Sequence, residues 1–249
     1  MDGNGRWANK RFLPRVAGHR QGVESLRRCV RACSERGVKV LTVFAFSSEN
    51  WSRPREEVSG LMDLLASALA REVQPLKDSG VRICFIGDRS RMSDKVRAGF
   101  AQAEAETLAN THIVLNICFN YGGRWDIAQA ATKLVASGLP ITEDNLHKSM
   151  SLAHVPDPDL VIRTGGEYRI SNFLLWQSAY SELHFTQTLW PDFDESALEL
   201  AMADYAGRER RFGKTSEQVA VNATVHAPVA DAAVSASHAV AAALGPRAA

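Results

Sequence analysis

Three short polar segments hold the side chains that could do chemistry in this chain. The first, Asp2-Gly3-Asn4-Gly5-Arg6-Trp7, sets two glycines among a carboxylate, an amide and a guanidinium. Glycines let the backbone approach a ligand and present its N–H groups. A helix that follows adds its positive end, which favours a phosphate. Asp2 at the rim could hold Mg²⁺, and Arg6, Arg15 and His19 could add charge. The plain alternative is an N-terminal turn with an Asx cap.

The second segment, Ser47-Ser48-Glu49-Asn50-Trp51-Ser52-Arg53-Pro54, directly follows an apolar run ending at Phe46. Ligands of open α/β sheets sit beyond the carboxyl ends of strands. Here the chain offers hydroxyls, an amide, a carboxylate, an exposed indole and a guanidinium. The alternative is a surface loop leading into the N-cap of a helix near Glu56. The third segment runs from Arg163 to Asn172. Its two arginines, Gly165-Gly166 pair and Ser171 suit an anion with several oxygens, such as diphosphate. A solvated loop with salt bridges is the alternative. Glu182, in Tyr180-Ser181-Glu182-Leu183, is a carboxylate in an apolar stretch, either a site residue or half of a structural ion pair. No Ser-His-Asp order and no H-E-x-x-H motif occurs, and Gly122-Gly123-Arg124 is neither a dinucleotide fingerprint nor a Walker loop. It reads as a turn before a helix starting at Asp126.

The elements that must position these segments follow from hydrophobic periodicity. Residues 38–46, 81–86 and 113–119 are β-branched and aromatic runs that predict buried strands. Shorter strands are expected at 160–162, extended upstream by Val155, and at 183–185. Helices are expected at 21–36, where Val23, Leu26, Val30 and Cys33 recur at helical steps, and at 56–78, which carries Leu61, Leu64, Leu65 and Leu69. Further helices are expected at 94–109, 126–137 and 172–180. Alternation of strand and helix predicts an α/β fold, a single domain with one central, mostly parallel sheet flanked by helices.

Composition narrows the function classes. The 249 residues are 45% hydrophobic and 23% charged, which excludes a wholly disordered or collagen-like chain. A formal net charge of +1 gives no global basic field, so nucleic acid is not an expected partner. The four cysteines, Cys29, Cys33, Cys84 and Cys118, form no C-x-x-C pair and read as buried core thiols in a reducing compartment. There is no run of about 18 apolar residues and no signal-peptide pattern, so a cytoplasmic protein is expected, with peripheral membrane contact open. Composition shifts after Gly213: residues 220–249 contain 13 alanines and few large apolar groups. Residues 1–213 read as the working domain and 214–249 as an Ala-rich tail, disordered or loosely helical.

The motifs MDGNGRWA, AFSSENWSRP, NYGGRWDI, DLVIRTGGEYRISNFLLWQ, and YSEL through LWPDFD to RERRFG stand in this order from Met1 to about Gly213. On them the chain resembles the cis-prenyltransferases, specifically the bacterial undecaprenyl diphosphate synthase group. The resemblance implies condensation of isopentenyl diphosphate with an allylic prenyl diphosphate, such as farnesyl diphosphate. The Z-polyprenyl product would be undecaprenyl diphosphate, a precursor of the cell-wall lipid carrier. It implies that Asp2 binds Mg²⁺, with Glu182 helping, from the partner subunit of a homodimer if need be. Gly3, Asn4, Gly5, Arg6 and Trp7 would cradle the allylic diphosphate, and Arg15 and His19 would complete its charge balance. Arg163, Arg169 and Ser171 would bind isopentenyl diphosphate. Ser47 and Asn50 would position the alkene and assist proton removal. Trp51, Arg53 and Glu57 would belong to a loop that closes over substrate, and Arg211-Phe212-Gly213 would reach a neighbouring subunit's site. The group's β-strand immediately before the Asp-Gly-Asn-Gly-Arg loop is absent from the sequence, so Asp2 is expected at a free terminus. A non-catalytic partner or inactive form is the alternative reading.

Overall fold

Continuous apolar runs form strands because both faces of a parallel sheet are covered. In the computed structural model, which describes residues 1–209, the strands are β1 (Val40–Ser47), β2 (Val81–Ile86), β3 (Ile113–Tyr121), β4 (Leu160–Arg163) and β5 (Glu182–Phe185). β3 lies between β1 and β2, parallel to both. Its Ile113, Leu115, Cys118 and Tyr121 are fully shielded from solvent. The register of β1 against β3 slips between Phe44 and Phe46 and again before Ser47. Such bulges re-aim side chains at strand ends, and this one lies where the second polar segment begins.

β4 and β5 form a separate parallel pair, with Arg163 opposite Phe185. The expected single sheet is therefore two parallel sheets. β1 and β4 are not hydrogen-bonded to each other, and a cavity of about 1070 Å³ is lined by both. Residues 1–3 belong to no strand.

Among the described residues the helices are α1 (Asn4–Asn9), α2 (Arg15–Glu35), α3 (Arg55–Asp78), α4 (Asp94–Thr107), α5 (Gly123–Ala136), α6 (Glu143–Ser149) and α7 (Glu195–Ala206). The buried face of α2 is built from small residues: Gly18, Gly22, Ser25, Cys29 and Ala32. Small side chains at these helical steps let neighbouring backbone come close. α3 is different. None of its 24 residues is fully buried, because its apolar stripe of Leu61, Leu64, Leu65 and Leu69 faces the cavity.

Two expectations fail locally. Residues 172–180 are turns, not helix; Ser171, Asn172 and Leu174 have φ of 49°, 62° and 41°, which no α-helix contains. Of the cysteines, Cys84 is only partly buried. Cys29 and Cys33 do share one face of α2, and both line the cavity. Residues 1–207 form one compact unit. The Arg211-Phe212-Gly213 element and the tail from 214 onward lie outside the described residues.

Candidate active site

The first polar segment is a loop that runs into α1, and it is pinned by backbone. The Asp2 amide donates to Thr164 Oγ1 (2.9 Å), and that hydroxyl donates back to the Asp2 carbonyl (2.8 Å). The Trp190 amide also donates to the Asp2 carbonyl (2.9 Å), while the Trp190 indole donates to Gly22 O (2.8 Å). Thr164 and Trp190 are both buried. Asp2 is thereby fixed by its backbone at the carboxyl end of β4, and its carboxylate takes no part in this anchorage.

The Asp2 carboxylate accepts from Arg163 Nη2 (3.0 Å) and pairs with Arg6 (3.4 Å). Partial burial would raise its pKa. The Arg163 hydrogen bond and the charges of Arg6 and Arg163 outweigh that and hold it below the usual carboxylate range. Arg163 also donates to Ser171 Oγ (2.8 Å) and to the Arg169 carbonyl. Arg6 reaches Glu167 (3.8 Å), which pairs with Arg169 (2.5 Å). The first and third segments, expected as two separate anion sites, thus meet at one carboxylate. Two glycines make the approach possible. A Cβ on Gly165 (φ 91°) would stand 2.6 Å from Arg6 Nη2, and one on Gly5 would stand 2.7 Å from Arg15 Cζ.

A second acidic hub faces this one. Glu57 near the start of α3 pairs with Arg53 (3.0 Å) and Arg15 (3.2 Å), and His19 Nε2 lies 3.9 Å from it. His19 Nε2 is buried without a hydrogen-bond partner. Burial, and then the charge of Arg53, lower the His19 pKa to about 4 despite Glu57. His19 is therefore neutral at pH 7. It offers a hydrogen bond, not the charge expected of it.

The second segment joins the Glu57 hub through Arg53. Ser47 precedes a one-turn 3₁₀ helix, Ser48–Ser52, and its amide donates to Asn50 Oδ1 (3.1 Å). Glu49 accepts from Asn172 Nδ2 (2.7 Å), which ties this segment to the third. Burial would raise the Glu49 pKa, but the Asn172 bond and its neighbours keep it lowered.

Asp2, Gly3, Asn4, Gly5, Arg6, Arg15, His19, Ser47, Asn50, Arg53, Arg163, Arg169 and Ser171 all line the one cavity. Trp7, Trp51, Glu57 and Glu182 do not. Trp7 donates to Asp192 Oδ1 (2.6 Å) with Arg11 over its ring, so it braces α1 from outside. Trp51 is half-buried, not exposed: its indole donates to Asn120 Oδ1 (2.8 Å) and Arg91 covers its ring. Glu57 lies behind the lining and pairs with Arg15 and Arg53, which do line the cavity. Glu182 opens β5 opposite Leu160, three register positions before the Arg163 that holds Asp2. Within one chain the two expected metal ligands are not brought together. Among the described residues no group of three metal-ligating side chains occurs.

Three contributors were not singled out from sequence. Thr164 anchors Asp2, Glu167 bridges Arg6 and Arg169, and Asn120, at φ 52°, holds Trp51. Asp126, expected only as a helix start, is a buried hub that accepts from Tyr121 Oη (2.9 Å), the Ser151 amide (2.9 Å) and Gln177 (3.2 Å). Below the polar mouth the cavity wall is apolar. It includes Val23, Leu26 and Val30 of α2, the Leu stripe of α3, and β1 up to Phe46. A cluster of cations over a long apolar cavity fits an amphiphile with an anionic head.

The model of a protein family described as "Putative undecaprenyl diphosphate synthase" matches residues 1–213. An isoprenyl transferase of Neisseria gonorrhoeae is 56% identical over 222 residues, covering 89% of this chain and 90% of that protein. A ditrans,polycis-undecaprenyl-diphosphate synthase of Pseudomonas aeruginosa, described as specific for (2E,6E)-farnesyl diphosphate, is 52% identical over 230 residues (90% and 92%). Among solved structures, a lavandulyl diphosphate synthase of Lavandula x intermedia superposes with a TM-score of 0.82 at 34% identity, covering 86% of this chain and 95% of that one. A probable undecaprenyl diphosphate synthase of Campylobacter jejuni gives 0.74 at 36% identity, covering 78% and 92%. With the cation-ringed mouth and apolar cavity already in place, these matches decide the family: the chain belongs to the undecaprenyl diphosphate synthase family of prenyltransferases.

Proposed function

We propose that the protein condenses isopentenyl diphosphate with an allylic prenyl diphosphate, farnesyl diphosphate being the favoured starter, to give a Z-polyprenyl diphosphate of undecaprenyl type. A product of that type would serve as precursor of a cell-wall lipid carrier. The observation that carries the reading is the pairing of two arginine clusters across Asp2 with an apolar cavity of about 1070 Å³. A non-catalytic role would need neither. Incubation with radiolabelled isopentenyl diphosphate and farnesyl diphosphate, followed by sizing of the products, tests it. Absence of chain elongation would overturn it.

The chain's residues divide the work by charge. Arg6, Arg15 and the first amides of α1, which lack intrahelical acceptors, bind the allylic diphosphate, and His19 donates from Nε2. Arg163, Arg169 and Ser171 bind the diphosphate of isopentenyl diphosphate. Departure of the allylic diphosphate leaves carbocation character at its terminal carbon, and preset donors stabilise the charge on the leaving group. Ser47 and Asn50, fixed to each other, orient the attacking alkene and its departing proton. Arg53, just before α3, and Glu57 in the first turn of α3 close the mouth. The growing chain enters the space between α2, α3 and β1.

Mg²⁺ fits this donor set. A small hard cation uses one or two carboxylates and takes its other ligands from phosphate and water, and Asp2 is an ionised carboxylate at the rim. Asp2 would hold the ion, which when bound offsets the negative charge of the diphosphates. Glu182 would reach such an ion only from a second copy, which favours a homodimer. The described residues contain no helix long and apolar enough to cross a membrane. A cytoplasmic enzyme that meets the membrane peripherally to release its product is the matching location.

Separate substrate clusters predict separate kinetic defects. Arg163→Ala or Arg169→Ala should raise KM for isopentenyl diphosphate about 10-fold or more, the value of one or two charged hydrogen bonds. Arg6→Ala or Arg15→Ala should do the same for the allylic substrate. Steady-state kinetics with each substrate varied in turn would show it; the reversed pattern would mean that the two sites are exchanged.

A further inference from the structure

The turn between α1 and α2 exposes apolar side chains in a basic setting. Phe12 is 99% exposed, and Leu13 and Val16 are 43% and 40% exposed. Phe12 also has φ 56°, a conformation that glycine adopts freely and an aromatic residue does not. The chain thus bears backbone strain and an unburied ring at one position.

Along this segment of the sequence the charge has one sign. From Lys10 to Arg20 there are four basic residues and no acidic one. Arg11 is engaged by Trp7 and Asp192, and Arg15 by Glu57. Lys10 and Arg20 are exposed, and Arg20 stands one helical turn from Val16 on α2, on the same face. The border lies on α3, which meets Val16 at Gly60. There Glu56 and Asp63 flank Gly60 at helical spacing and bring the opposite charge. Arg15, within the same turn, lines the cavity, so the surface adjoins the cavity mouth.

Apolar tips framed by Lys and Arg match the interface of an anionic bilayer, where rings enter the headgroup boundary and cations meet lipid phosphates. We propose that Phe12, Leu13 and Val16, framed by Lys10 and Arg20, dock this face onto an anionic lipid bilayer and hold the cavity mouth at the membrane surface. This rests on the reading that the product is a long apolar chain, which must pass from the cavity into lipid. It names the surface that makes the contact.

Co-sedimentation of the full chain with vesicles tests it. One set is phosphatidylcholine alone, and the other contains about one-third phosphatidylglycerol. The unaltered chain should bind the second set more strongly, and less so at high salt. Phe12→Gly should cut partitioning about 10-fold or more, the loss expected for one buried aromatic side chain. Its thermal midpoint should hold or rise, because glycine suits the backbone there. Lys10→Glu with Arg20→Glu should abolish the preference for phosphatidylglycerol. Equal binding by Phe12→Gly, no binding by the unaltered chain, or a fall in the thermal midpoint would overturn the proposal. So would loss of a dimer in Phe12→Gly by sedimentation velocity, which would make the patch a contact between copies. Condensation assayed in detergent separates the two readings. Elongation without vesicle binding sinks the docking surface alone, and vesicle binding without elongation sinks the enzymatic reading.

Discussion

Asp2→Ala is expected to turn over about 10³-fold more slowly while binding its substrates no less tightly. The fold should survive the change, because the Asp2 backbone is held by Thr164 and Trp190 and its side chain takes no part in that anchorage. What disappears is the ionised carboxylate between Arg6 and Arg163. Those guanidiniums then meet the diphosphates without a competing anion, which compensates in the ground state for the cation that Asp2 would hold. The loss would fall on the departing charge, where a cation held by Asp2 would contribute several kcal/mol, and each 1.36 kcal/mol is about tenfold in rate. A fall in kcat with KM unchanged or lower is the signature of an interaction made in the transition state. Steady-state kinetics at saturating Mg²⁺ would decide; near-normal turnover would remove Asp2 from the chemistry.

Gly18→Ala should damage both stability and diphosphate binding. A Cβ at Gly18 would drive into the carbonyl of Asn4 and stand 3.3 Å from the Ala8 methyl. The obstacle is backbone, which cannot rotate away as the end of a long side chain can. Either α1 lifts off α2 or the Asn4 peptide turns, and in both cases the loop from Gly3 to Arg6 leaves its place. Overpacking of this kind costs about 1–3 kcal/mol, and diphosphate affinity should fall about tenfold with it. Gly60→Ala is the matched control. A Cβ there meets only Val16 Cγ2 at 3.9 Å, and alanine favours helix over glycine by about 1 kcal/mol. Urea unfolding midpoints and diphosphate titrations of both variants provide the comparison. Equal behaviour of the two would show that close packing of α1 on α2 does not hold the site.

Much of this was legible from residue order. β2 begins and ends where its apolar run does, because a strand buried on both faces leaves no ambiguity of period. The polar segments were visible for the opposite reason, since glycines, arginines and serines directly after apolar runs have no packing role. The stretch Phe173-Leu174-Leu175-Trp176 misled because its apolar residues could equally face a helix interior. The structure gives Ser171, Asn172 and Leu174 left-handed backbone, and Asn172 uses its carbonyl and side chain to hold the amides of Gly123 and Arg124. α1 was hidden by its glycine content. α6 and α7 lie outside the expected helices, although Thr142 and Asp194 cap them through the amides of Asn145 and Ala197, a readable signal. The division into two sheets and the meeting of Arg6 with Arg163 at Asp2 depend on three-dimensional placement, which spacing along the chain does not carry.

The long-range bonds around the N-terminal loop also favour an order of assembly. Asp2 and Thr164 are 162 residues apart, Trp190 and Gly22 168, and Trp7 and Asp192 185. By contrast, Thr107 braces β2 from 24 residues away and Asn116 meets Thr42 from 74. Closing a longer loop costs more chain entropy, and distant pairings form after nearer ones have shortened the path. The β1-β3-β2 sheet can therefore condense first, and the N-terminal loop locks onto Thr164 and Trp190 last. Trp190→Ala should accordingly speed unfolding and leave the refolding rate nearly unchanged in stopped-flow traces, whereas a slowed refolding limb would place that contact in the nucleus. The catalytic mouth would then be the last part of the unit to mature and the first to open.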